Sequence, residues 1–366
     1  MTSAATTAGG FTPGVDPGVD AYAGPSRLRP AWLAVGIATM AVAAVLGLAI
    51  GPVAINPARS LLEVLHHFPL LHVHSGLTLQ QSGIVWELRL PRVVLALLVG
   101  GMLSTAGATY QGVFRNPLAD PYLLGAAAGA GLAVTLVIVA GHQPTGGLLD
   151  PMPIAAFAGA MGAAFLAYSV GAAGGRVRTP ATLLLAGVAV MSFLTAVQTY
   201  VQQQHADTIR EVYTWILGRL STASWSDVQL VLPYFVLTSV VLVLHARVLD
   251  VLSVGDEEAA TLGIPVKRVR LVLIATASLA TAAAVSVSGL IGFVGIIVPH
   301  TVRLVAGTSY RVILPLSLLF GGAFLALTDL LARTALSPAE IPIGVVTAIF
   351  GAPFFVLVLR RSRGII

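Results

Sequence analysis

PRVVLALLVGGMLSTAGATYQG, residues 91–112, decides the class of this chain, because its twenty-two positions hold one formal charge, at Arg92. A helix rises about 1.5 Å per residue, so roughly 20 such residues cross the hydrocarbon core of a bilayer. Comparable apolar runs fall at residues 31–51, 121–141, 153–174, 181–203, 228–248, 271–289, 292–306, 311–332 and 342–360. Hydrophobic residues supply 57% of the chain and charged residues 10%, far below the roughly 25% of soluble domains. The composition specifies an all-α integral membrane protein with about ten transmembrane helices. Connections between the runs are short, so residues 31–366 read as one domain.

Residues 1–30, rich in Gly, Pro, Ala and Thr, bury too little apolar surface to fold and read as a disordered cytoplasmic tail. The first apolar run is too long for a signal-peptide core and reads as a retained anchor. With the N-terminus in the cytoplasm, the inner segments carry Arg27, Arg29, Arg115, Arg176, Arg178, Arg247, Lys267, Arg268, Arg270, Arg303, Arg311, Arg360, Arg361 and Arg363. The outer segments carry Arg59, Arg89, Arg92, Arg210, Arg219 and Arg333. This inner excess places both termini in the cytoplasm. The net charge of +5 then reflects anchoring to inner-leaflet lipid, and the basic patches interleaved with aromatics that nucleic acid would require are missing. With no cysteine, disulfides and thiolate metal ligands are excluded.

One charged island interrupts this pattern, GDEEAATLGIPVKRVR at Gly255–Arg270. Asp256, Glu257 and Glu258 are placed to begin a helix, where acids complement the positive end of the dipole, and Gly263 before Pro265 is placed to end it. Lys267 is the only lysine and precedes Arg268 rather than Ser or Thr, so the chain has no P-loop lysine. ATP-driven work by this protein requires an ATPase on another chain. An HExxH pair, a cysteine nucleophile and a GxSxG elbow are also missing, which leaves an enzyme reading without a constellation.

Other features admit local readings. Small residues in Gly100–Gly112 and Gly125–Ala133 let helices approach closely, or line a wide pathway. His66, His67, His72 and His74 in the first outer loop read as solvated side chains, with metal or haem binding as the rival. IREVYTWILGRL reads as a short interfacial helix, with Trp215 and Trp225 in the aromatic belt. Asn116–Pro117 and Asp120–Pro121 are turn-forming pairs. Arg89 and Arg92, three apart, share one side of a helical turn and present guanidinium forks, or snorkel to headgroups. Arg333 has Asp329 four residues earlier as an intrahelical partner. His300 and Arg303 lie one turn apart near the inner end of the eighth span.

Seven blocks then point one way: WELRLPR (Trp86–Arg92), NPLADPYLLGAAAGAG (Asn116–Gly131), LLLAG (Leu183–Gly187), GDEEAATLGI (Gly255–Ile264), SGLIGFVGIIVPHTVRL (Ser288–Leu304), LTDLLAR (Leu327–Arg333) and EIPIGVVTAIFGAPFFVLVL (Glu340–Leu359). Together they resemble the FecCD family, the permease subunits of ABC importers for iron chelates (siderophores and haem) and for cobalamin. The resemblance covers everything except the N-terminal tail.

It implies the type II ABC importer permease architecture in the cytoplasmic (inner) membrane of a bacterium. Two permease copies, identical or paired as a heterodimer, would enclose a pathway. Two ABC ATPase subunits below would hold ATP and Mg, with no cofactor on this chain, and an extracytoplasmic substrate-binding protein would dock above. By similarity, a coupling segment at about 250–270 offers Gly255, Asp256, Glu257, Glu258, Ala259, Ala260, Leu262 and Gly263 to the ATPase. Asn116 and Leu118 match a cytoplasmic gate. Its second layer falls at Pro180 and Ala181, where this chain departs from the small hydroxyl residues of the family. Arg89, Arg92 and Arg333 match arginines that meet glutamates of the binding protein. Pro299, His300, Arg303 and Asp329 are expected to serve structure or conformational change, and no metal site is expected. Iron chelate leads as cargo, with the outer histidines tilting toward haem, and cobalamin is the alternative. An ion-coupled secondary transporter would need ionisable groups at mid-membrane, to which only Asp329 and His300 come near.

Overall fold

The computed structural model describes residues 28–67, 73–142, 147, 149–173 and 180–362. Most of the expected tail, with His72, Arg176, Arg178 and Arg363, lies outside the described residues. In chain order the helices are α1 (Pro30–Ala49), α2 (Pro57–His66), α3 (Leu79–Gly83), α4 (Leu90–Phe114), α5 (Ala126–Val139), α6 (Pro151–Ala173), α7 (Pro180–Gln204), α8 (Ile209–Ile216), α9 (Trp225–Leu244), α10 (Ala246–Val254), α11 (Asp256–Thr261), α12 (Val266–Ser288), α13 (Val294–Ala306), α14 (Tyr310–Thr334) and α15 (Ile343–Ser362). Among the described residues, seven continuous helices are long and apolar enough to span a membrane, and α5, α13 and α15 supply three shorter apolar ones. They match the ten expected runs.

The second span is longer than its apolar run. A π-helical turn at Ile84–Arg89 joins α3 to α4, giving 36 continuous helical residues from Leu79 to Phe114. Pro91 lacks an N–H and its ring crowds the carbonyl of the preceding turn. The wider register just before it relieves that conflict and lets the helix continue into the outer loop.

Helix α4 is the centre of the bundle, buried along nearly its whole length against α9, α12, α13 and α14. Two glycines make this possible. A methyl built at Gly100 would overlap the Gly321 carbonyl of α14, and one at Gly107 would overlap the Gly295 carbonyl of α13. In lipid, close backbone approach of this kind replaces the hydrophobic drive between helices.

The third span begins later than the apolar run at 121–141 suggests. Arg115 adopts the left-handed conformation (φ 49°) and ends α4, and Gly125 (φ 81°) opens α5. Between them, Asn116 Oδ1 accepts from Leu118 N at 3.0 Å and Asp120 Oδ1 from Tyr122 N at 2.8 Å. These side chains form the turns expected of Asn-Pro and Asp-Pro pairs. The Tyr122 hydroxyl accepts from Ile291 N and donates to Ile291 O, both at 3.0 Å. Non-helical backbone is tolerated beside a bilayer core only where protein buries and satisfies it, as this segment is.

His66, His67 and His74 are exposed, in line with the solvated reading, while the first outer loop around them is held by hydrogen bonds and a ring stack. Glu63, 3% exposed, accepts from Ser82 Oγ at 2.6 Å and from Ser75 Oγ, and His67 stacks on Trp86 with ring centres 3.7 Å apart. Among the described residues no cluster of three metal-ligating side chains forms. The interfacial helix is present as α8, but Trp215 is 3% exposed and packs with Met152, Val212 and Val285 instead of joining a surface belt. Trp225, partly exposed, donates Nε1–H to Trp86 O at 3.0 Å.

Candidate functional site

On the cytoplasmic side, α11 is the helix expected at the start of the charged island, and α10 precedes it to make a helix pair. Asp256, Glu257 and Glu258 occupy the first turn of α11, and Gly263 (φ 77°) ends the excursion before Pro265. Ala259 is buried against the body, whereas Glu257, Glu258 and Ala260 are exposed. Gly255 is buried and extended. Val254, the last residue of α10, and Leu262, just after α11, each leave 70% of their surface open.

Carboxylates tie this pair to three spans. Asp256 Oδ1 accepts from Arg115 at the end of α4 (3.0 Å) and from Arg270 in α12 (2.6 Å). Asp250 accepts from Tyr310 N at 2.5 Å and from Ser309 Oγ at 2.8 Å, which caps the start of α14. These contacts fasten α10 and α11 to α4, α12 and α14 together. Asp250 was not singled out by sequence reasoning; the signal available was an acid ending an apolar run just before the island.

Beside this pair, Asn116 and Leu118 lie in the turn after α4, both partly exposed. Pro180 and Ala181 open α7, with Ala181 exposed. No described bond joins the two layers. In α13, Pro299 is buried, and Arg303 donates to Gln111 Oε1 at 3.2 Å and to the Tyr310 hydroxyl at 3.4 Å. Gln111 in turn donates Nε2–H to Gly295 O at 3.1 Å, which links α4 to α13. His300 sits edge-on to Phe354 at 5.8 Å, with Nδ1 buried and unpaired among the described residues. His300 and Arg303 are thus one turn apart but have separate partners.

On the outer side, the arginines are committed within the chain. Arg89, 4% exposed, donates to the carbonyls of Leu48, Ala49 and Val53, closing the end of α1. Arg92 donates Nε–H to both oxygens of Asp329 at 3.0 Å, and Nη1 and Nη2 donate to Glu340 at 2.9 Å each. Arg333, 3% exposed, lies 3.8 Å from Asp329 and donates to Gly47 O. Arg333 stands beside Asp329 as their spacing of four leads one to expect, whereas Arg89 and Arg333 are buried and offer no exposed fork, and Arg92 is paired with Asp329 and Glu340. The spacing that puts Arg89 and Arg92 on one side of a turn was right, but that side faces α1 and α14. Arg92 borders an open hollow of about 210 Å³, shared with Asp329 and Glu340.

Comparison with known proteins decides the relationship. The profile of the FecCD transport family matches residues 39–361. The chain belongs to the FecCD transport family. This FecCD permease is 49% identical over 283 residues to the cobalamin import system permease protein BtuC of Halobacterium salinarum, covering 76% of this chain and 73% of that one. It is 39% identical over 286 residues to the hemin transport system permease protein HmuU of Yersinia pestis (76% and 84%). Against the ABC transporter permease protein YvrB of Bacillus subtilis, the identity is 40% over 335 residues (90% and 94%). Its fold superposes on an inward-facing conformation of a metal-chelate type ABC transporter with a TM-score of 0.76 and 28% identity, covering 91% of this chain and 100% of the other. The FecCD permease is thus a multi-pass membrane subunit of an ABC importer, a complex that includes an ATPase and a binding protein.

Proposed function

We propose that this permease moves an iron chelate, siderophore or haem, across the cytoplasmic membrane of a bacterium as one half of a homodimer. Two ATPase subunits bind ATP and Mg and press on α10 and α11 from below. A binding protein delivers cargo from above. The observation that carries the energy-coupling part is the exposed surface of α10 and α11, with Val254 at the end of α10, Leu262 just after α11 and Glu257 and Glu258 all open, and Asp250 and Asp256 fastening the pair to three spans. Large apolar side chains left in the open on cytoplasmic helices mark a surface that a partner covers.

In this account nucleotide-driven motion enters at Gly255–Gly263 and passes through Asp256 to Arg115, immediately before Asn116 and Leu118. Those two residues, with Pro180 and Ala181 opposite, form the inner gate. Pro299, His300 and Arg303 let α13 bend with it, and Asp329 holds the outer end. Docking above draws on Arg92: a carboxylate from the binding protein takes the place of Glu340 on its outer edge. Arg89 and Arg333 support that fork from behind instead of meeting the partner.

Cobalamin is the second reading, favoured by the 49% identity to a cobalamin permease. Proteoliposomes holding the permease and ATPase, with ATP inside and binding protein outside, are offered ferric siderophore, haem and cobalamin in turn. ATP-dependent uptake of an iron chelate is expected. Uptake of cobalamin alone would replace the first reading by the second, and uptake of none would overturn both.

A further inference from the structure

A second outer hollow, of about 620 Å³, lies beside α8, with Met152, Arg210, Trp215, Arg219 and Thr222 in its walls. That volume falls within the range of small-molecule sites, roughly 300–1,000 Å³. Its guanidiniums differ from those of Arg89, Arg92 and Arg333. Arg219 is held in place, Nε–H donating to Thr222 Oγ1 at 3.2 Å with Nη1 3.8 Å from Met152 Sδ. Yet neither Arg219 nor Arg210 forms an ion pair among the described residues, although Asp207 and Glu211 line the same hollow. Trp215 adds an aromatic wall, and its indole Nε1 is buried without an acceptor among the described residues.

We propose that this hollow receives an anionic metal chelate on its way from the binding protein to the pathway, with Arg210 and Arg219 taking its carboxylates. The inference rests on the importer reading above and narrows its cargo to carboxylate-bearing chelates. A guanidinium presents a planar fork that matches a carboxylate with two parallel bonds, and Met and Trp side chains adapt to an apolar ligand body. Asp207 and Glu211 balance Arg210 and Arg219 in the formal charge of the hollow, so capture stays weak. A transfer site must bind its cargo loosely enough to release it.

The test uses the whole permease–ATPase complex in lipid nanodiscs, without binding protein, titrated with radioactive ferric citrate and with an uncharged ferric trihydroxamate. The complex is expected to bind ferric citrate in preference to the trihydroxamate. Arg210→Gln with Arg219→Gln should weaken ferric citrate by roughly tenfold, the worth of a lost charge-assisted hydrogen bond, and leave the trihydroxamate unchanged. Arg219→Lys in place of Arg219→Gln should restore part of the binding. Equal binding of both chelates, or unchanged ferric citrate binding in the double variant, would overturn the proposal. So would loss of binding-protein capture by that variant with ferric citrate binding intact, since the arginines would then serve a protein carboxylate. Assembly with the ATPase on a sizing column confirms that each variant folds. Failure of iron-chelate uptake alongside intact, selective ferric citrate binding would count against the importer reading and not against this site.

Discussion

Arg92 and Asp329, 237 positions apart in sequence, meet in a fork in which Nε–H donates to both carboxylate oxygens at 3.0 Å and Nη2 donates to one at 2.9 Å. Asp329 is 1% exposed, and Arg333 stands 3.8 Å away on its other side. The pair joins the outer ends of α4 and α14, the two helices whose backbones touch at Gly100 and Gly321.

Removing one member of such a pair leaves the other charge buried and unmatched, which costs roughly 3–5 kcal/mol. Asp329→Ala should therefore lower the thermal midpoint of the detergent-solubilised permease far more than Glu340→Ala, whose carboxylate is partly exposed. Thermal unfolding of both variants checks this, and equal losses would show that Asp329 is not the buried anchor.

Gly107→Leu places a side chain where the α13 backbone lies. The clash is with a carbonyl, not with the end of a flexible side chain, so the helices must separate. Loss of the monodisperse peak on a sizing column is expected, whereas Gly162→Ala, where a methyl meets open space, should elute normally.

Glu63 gives the outer loop a pH response. Burial pushes its carboxyl up, but hydrogen bonds from Ser75 and Ser82 and the neighbouring His67 and His66 prevail and hold it below the ordinary value. A depressed carboxyl stabilises the fold above its unfolded pKa, about 4.3 for glutamate, and that contribution is lost as pH falls through the folded value. Amide exchange in α2 should rise below about pH 4. In Glu63→Gln the acid-induced rise should vanish.

Most of the architecture was legible because lipid imposes a length and a polarity on every span, and residues 153–174 or 311–332 announce themselves by apolar run alone. The island was legible for the converse reason: Asp256, Glu257 and Glu258 have no place in a bilayer. What escaped was pairing across the fold. No local pattern says that Arg92 will find Asp329 and Glu340, or that Arg89 will cap α1 through three carbonyls, since those partners are brought together only by tertiary packing. The late start of α5 was hidden because Pro121–Gly125 is as apolar as a helix, and only Asp120 and Gly125 hint at the irregular backbone. Arg210 and Arg219 looked like ordinary outer charges until the fold placed them on one hollow.

The most direct measurement concerns where energy enters. The chain has no cysteine, so a single cysteine at Glu257 is a unique handle. In proteoliposomes with the cognate ATPase, Glu257→Cys should cross-link to an ATPase cysteine in the facing groove. Glu257→Arg with Glu258→Arg should retain dimer but lose ATP-driven uptake. A transporting complex in which Glu257→Cys reaches no ATPase residue, or normal uptake in the charge-reversed variant, would contradict the account.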